Sequence, residues 1–187
     1  MSAGPVRFEG QDVPRDATVV ERVNVAWPDF TPLAELRDLR VLRLTHTNPH
    51  RSPGGLPVDL EPLAAVDHLE VLVLRHYPIR DLGPLRNLRR LQVLDLSFAP
   101  VADLAPLAGL GSLRDLGLRA TRVASLQPLV GLAGLERLDV GHTPVADVRP
   151  LHGLPALREV ELDGTAVPPD AYAALVAARP GTAITPP

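Results

Sequence analysis

Residues 91–112 read LQVLDLSFAPVADLAPLAGLGS, and this stretch decides the fold. Leu94-Asp95-Leu96 alternates with period two, the pattern of a short strand with one buried face. Past it, Leu104, Leu107 and Leu110 recur every third residue, the step of a 3₁₀ turn on the opposite side. Asp103 stands just before that turn, where a short side-chain oxygen accepts from free N–H groups. Pro106 follows at a place where a missing N–H does little harm. One unit thus encodes a strand, a tight corner and a return turn.

The unit repeats. Leu82, Leu104, Leu126 and Val148 lie 22 apart, as do Pro62, Pro84, Pro106, Pro128 and Pro150. The same step links Leu63 to Leu151, Val66 to Leu154, Leu69 to Leu157, Leu72 to Val160 and Leu74 to Leu162 through their intermediates. Columns held in one register over successive units define a solenoid, in which each unit buries its leucines only against its neighbours. An earlier unit, Phe30 to Leu44, matches after a step of 30, so the extra residues fall in the Asn48–Asp59 segment. Val20 to Val25 is expected to copy Leu69 to Leu74 as a degenerate first strand.

This pattern resembles the leucine-rich-repeat family, in particular the 22-residue class of bacterial internalins and of phosphatase-regulating eukaryotic subunits. The resemblance covers roughly Val20 to Val167. It implies an α/β fold: a right-handed solenoid with a parallel sheet on the concave face, 3₁₀ or irregular turns on the convex face and a short C-terminal helix. It also implies a role in binding other proteins. One column departs from the family, whose inward ladder position is usually Asn. Here it holds Thr47, Tyr77, Ala99, Thr121, Thr143 and Thr165, and the Ala99 layer is expected to need another hydrogen-bond partner.

Open solenoid ends need caps. Residues 1–19, with Val6, Phe8 and Val13, are read as the N-terminal cap, 20–167 as about seven strand layers, and 168–187 as the C-terminal cap. Within the last, Asp170 is the expected N-cap of a helix from Ala171 to Arg179, and Thr182-Ala183-Ile184 a final strand. Asn48–Asp59 reads as a loop beside the sheet.

Composition narrows the function classes. Aromatic residues are only 3% of the 187, as suits a core of thin identical layers. Net charge is −3 and all nineteen cations are arginine, which gives no nucleic-acid footprint. There is no cysteine, hence no disulfide, thiolate ligand or Cys nucleophile. No run approaches the ~18 apolar residues of a membrane span, and Met1 to Pro14 lacks a basic and apolar leader pattern, so a cytoplasmic protein is expected.

The outward strand positions define the candidate site. Val41, Val71, Val73 and Val93 form an apolar patch, beside a ring-bearing row of Trp27, His46, His76 and Phe98 flanked by Arg43 and Arg75. Further along, Asp95, Asp115, Asp139, Glu159, Glu161 and Asp163 make the face acidic, with Arg119, Arg137 and His142 among them. An apolar and aromatic patch beside a charged one is the composition of a protein interface. A partner protein is therefore expected, with homodimerisation through the apolar half or an immunity- or antitoxin-type inhibitor role as further versions. A catalytic reading would pair Asp95 with Asp139 and use His142 as base, but a shallow surface excludes little water, and no catalytic residue is assigned. A zinc reading would recruit His46, His50 and His76; no carboxylate or cysteine stands with them, so no metal or cofactor is expected.

Overall fold

The computed structural model describes residues 4–25, 28–46 and 57–187. The chain opens with an antiparallel hairpin of β1 (Val6–Phe8) and β2 (Gln11–Val13). Glu9 and Gly10, at φ 50° and 75°, make the two-residue turn whose twist matches the strands. Val6, Phe8 and Val13 point one way and are buried in the core.

Seven parallel strands then stack in chain order: β3 (Val19–Val23), β4 (Val41–Thr45), β5 (Val71–Arg75), β6 (Val93–Asp95), β7 (Asp115–Gly117), β8 (Arg137–Asp139) and β9 (Glu159–Glu161). Leu42, Leu72, Leu94, Leu116 and Leu138 stand one above another in the ladder. Each is 0–1% exposed. Burying a leucine side chain contributes roughly 1.5–3 kcal/mol, and every coil places several in the same slab.

The register of β3 corrects the sequence reading. Val20, not Val23, pairs with Leu42, so the first step of the solenoid is also 22 residues. Val23 faces solvent, and Arg22 occupies the inward row of Leu44. Val25, which had been aligned with the strand leucines, instead falls at the ladder position of Tyr77 and is buried there. The spacing of Val23 and Val25 mimics the paired strand leucines, but only Val20 in the core column keeps both strands hydrogen-bonded and the apolar side chain dry.

On the return side the leucine column satisfies its own backbone. Leu85 N donates to Leu82 O, Leu88 N to Leu85 O and Leu91 N to Leu88 O, and the later coils repeat the chain of three-residue steps. Before each turn a short side chain accepts from the N–H two residues on: Asp29, Asp59, Asp81, Asp103, Ser125 and Asp147 all do so. Ala99 needs no substitute partner, because its backbone N–H already occupies the Leu96 carbonyl. The hydroxyls of Thr121, Thr143 and Thr165 bond the equivalent carbonyls of their own coils.

The far end closes with α1 (Pro169–Ala178) and β10 (Ala183–Ile184), which pairs in parallel with β9. The helix begins two residues earlier than the sequence reading placed it. Pro168 is extended and Pro169 enters the first turn, where its fixed φ suits a helix and no N–H is lost, so Asp170 lies inside the first turn rather than capping it.

Candidate functional site

The outward side of the sheet carries three rows set by strand register. The first runs Val41, Val71, Val93, Asp115, Arg137, Glu159; the second Arg43, Val73, Asp95, Gly117, Asp139, Glu161. Neighbours within a row stand ~4.8 Å apart, so side chains on consecutive strands touch. The third row, beyond the short strands, includes Arg75, Ser97, Arg119, Gly141 and Asp163.

A fourth row turns the corner, and its backbone was invisible in the sequence patterning. His76, Phe98, Ala120, His142 and Gly164 all have left-handed backbone, at φ 66°, 67°, 54°, 56° and 67°. Non-glycine residues adopt that conformation only at a cost, roughly 1–2 kcal/mol each. The compensation is a second ladder: the N–H groups of His76, Phe98, Ala120 and His142 donate to Ser97, Arg119, Gly141 and Asp163 on the next coil. Gly164 was the plainest signal of this corner available from sequence.

In the first coil the corner position belongs to Asn24, at φ 60°. Trp27, which the sequence reading set beside His46, lies outside the described residues, as do Thr47, His50 and residues 48–56 of the loop. His46 proves buried at 8% exposure, because its ring packs edge-on against the buried Tyr77 ring. His76 instead stacks on Phe98, with ring centroids 4.2 Å apart and planes within 11°. Phe98 is 46% exposed, so the pair presents a flat aromatic ledge. Burial, then the nearby Arg75 and His46, hold the His76 imidazole below its ordinary pKa and favour the neutral ring. Among the described residues no group of three metal-ligating side chains converges.

Val41, Val71, Val73 and Val93 are half-buried and contiguous beside this ledge. Ion pairs bridge the strands along the face, which becomes charged toward the other end. Arg43 pairs with Glu21, Arg75 with Asp95, and Arg137 with Asp115. Arg119 forks onto both carboxylate oxygens of Asp163 and lies 3.5 Å from Asp139. Asp95 departs from expectation: it is only 8% exposed, since Arg75 covers it and it leans over Gly117 while accepting from Ser97 N–H.

The pKa pattern separates two neighbouring acids. Burial holds the Asp139 carboxyl above its ordinary value, and Glu161 and Asp163 add to the effect against the Gly141 N–H and Arg119. Hydrogen bonding from Arg119 holds Asp163 below its ordinary value. The face therefore does perturb a carboxylate, shallow as it is. The triad of that reading does not assemble, however: Asp95 and Asp139 stand two strands apart across Gly117, and His142 lies against Asp163 at 3.3 Å.

Gly117 leaves a gap in its row. Above it opens a hollow of about 230 Å³ whose lining includes Asp95, Asp115, Asp139, Glu159 and Glu161 together with Arg75 and Arg137. Glu159 and Glu161 form no ion pair among the described residues, and Asp115 Oδ1 is buried without a hydrogen-bond donor.

The overall architecture matches solved structures. The chain superposes on an internalin (inlF) of Listeria monocytogenes with a TM-score of 0.76 and 24% identity, over 90% of this chain and 49% of that one. The fold is a leucine-rich-repeat solenoid. An internalin C2 (inlC2) of the same species gives a TM-score of 0.69 and 24% identity, over 90% of this chain and 80% of that one. A leucine-rich-repeat protein of Leptospira interrogans gives 0.59 and 16%, over 86% and 52%. The chain thus spans about half the length of the first and third of these proteins. No family model matches the chain, and no curated protein does. Among the described residues no helix is long and apolar enough to cross a membrane.

Proposed function

We propose that this leucine-rich-repeat chain is a non-catalytic scaffold whose concave sheet face engages a partner protein. The observation that carries the reading is the juxtaposition on one rigid sheet of the exposed Phe98–His76 ledge, the valine surface and the charged rows. Aromatic anchors set in a half-buried apolar surround are the usual centres of interface affinity, and charges at the margin set orientation and partner choice. The face is supported by stacked coils, so little ordering cost falls on this side of a complex. The leucine-rich-repeat fold generally serves protein binding, which supports the same reading.

Phe98→Ala and Val71→Asp test it. Each is expected to abolish capture of a partner from native lysate while the far-UV circular dichroism and melting transition persist. Normal capture by both variants would remove this patch as the site. Light scattering over a range of concentrations separates a heterologous partner from a second copy: a concentration-dependent dimer lost in Val71→Asp would make the partner the chain itself.

A further inference from the structure

The hollow over Gly117 is built rather than incidental. A Cβ at Gly117 would fall 2.8 Å from Asp95 Oδ1 and 3.3 Å from Ser97 Oγ, so the missing side chain is what lets Asp95 lean in and leaves the space open. The two guanidiniums of its lining are already engaged, Arg75 by Asp95 and Arg137 by Asp115. That leaves Glu159 and Glu161 without an ion pair among the described residues, Asp139 sharing Arg119 with Asp163, and Asp115 Oδ1 as a buried acceptor with no donor, so carboxylates outnumber guanidiniums on this sheet face. A desolvated acceptor left bare is costly, and a charged donor offsets that cost best.

The chemistry of the complement follows. Among the described residues no group of three carboxylates or histidines converges tightly enough for a metal ion. Carboxylates spread over neighbouring strands suit a planar cation with several donors instead, which is a guanidinium rather than a point-charge ammonium. The face already accepts that geometry once, where Arg119 forks onto Asp163. Val93 stands in the same row as Asp115 on the adjacent strand, with Val71 and Val73 one strand beyond.

We infer that the partner inserts an arginine into the hollow over Gly117 and lays apolar side chains on Val71, Val73 and Val93. This rests on the concave-face reading above and adds the partner's chemistry: a polypeptide segment with an arginine at one end and apolar residues at the other, lying across the strands. The negative rows steer it and the valines hold it.

The test is selection of a phage-displayed library of random peptides on the full-length chain, followed by affinity measurement with the synthetic winners. The expected consensus holds an arginine beside apolar residues. Replacing that arginine by citrulline, or using Glu161→Gln or Gly117→Leu protein of unchanged circular dichroism, should each weaken binding at least about tenfold. Winners without a cation, binding indifferent to Glu161→Gln and Gly117→Leu, or failure to select any peptide would each overturn the inference. If such indifferent peptides still lose binding to Phe98→Ala, the concave-face reading stands without it. Indifference to Phe98→Ala as well sinks both.

Discussion

The hydroxyl of Tyr77 donates to the carbonyl of Val25 at 2.8 Å, joining residues 52 positions apart. The bond passes from the coil of β5 to the coil of β3, two layers away, and Tyr77 is itself 2% exposed. It ties the N-terminal coils together across the long step between β4 and β5, where the repeat spacing is 30 rather than 22. Tyr77→Phe keeps the ring and strands the Val25 carbonyl, so it should cost about 1–2 kcal/mol in urea unfolding at neutral pH. Burial raises the Tyr77 pKa to about 12 from the ordinary 10.0 of a tyrosine hydroxyl. The folded value lies above the unfolded one, so this contribution is whole below pH 10.0 and lost as pH rises toward about 12. The gap between wild type and Tyr77→Phe should therefore narrow over that window.

The ladder threonines differ in what their hydroxyls carry. At Thr121 and Thr165 the accepting carbonyl also receives the threonine's own N–H, at 3.2 and 3.1 Å. At Thr143 the 2.6 Å hydroxyl bond is the one found on the Val140 carbonyl among the described residues. Thr143→Val should cost about 1–2 kcal/mol and Thr121→Val about half as much. Equal losses in paired chemical melts would contradict the assignment.

The solenoid itself was legible because six apolar columns recur beside the proline column, and each of the six has one place to go in a stacked core. The capping aspartates were legible for the same reason. What escaped was set by backbone rather than by periodicity. The left-handed corner accommodates His76, Phe98 and Ala120 without announcing itself, since an inter-coil hydrogen bond, not residue type, holds it. The register of β3 was misread because Val23 and Val25 repeat the leucine spacing as well as Val20 does, and only pairing to Leu42 decides between them. The burial of His46 and Asp95 was not legible, because it depends on what Tyr77 and Arg75 do next to them. The hollow was present in the sequence as Gly117 between two aspartates of one row, a gap that means nothing until the register is known.

Gly164 is doubly constrained. Its φ is 67°, and an added Cβ would fall 2.3 Å from Nδ1 of the overlying His142 ring. Gly164→Ala should therefore destabilise by about 1–2 kcal/mol from the backbone alone, with a further loss from displacing His142 off Asp163. A double-mutant cycle with His142→Ala separates the two. The double variant should recover the steric part and keep the backbone part; purely additive losses would show that His142 moves aside freely.

Asp139 is a carboxylate whose charge the fold disfavours. Its folded pKa is raised, chiefly by burial and then by Glu161 and Asp163. A raised value means that the charged form is disfavoured in the native state: the associated stability is present below the unfolded pKa and is lost as pH rises through the folded one. Asp139→Asn keeps an acceptor for the Gly141 N–H, a 2.9 Å bond in the wild type, and removes the charge. The variant should be more stable than wild type at pH 7 and lose that advantage under acid conditions, read as urea midpoints across the range. It should bind an arginine-bearing peptide less well, so that stability and recognition move in opposite directions at one residue. A variant no more stable at pH 7 would mean that Arg119, at 3.5 Å, already offsets the burial of this carboxylate.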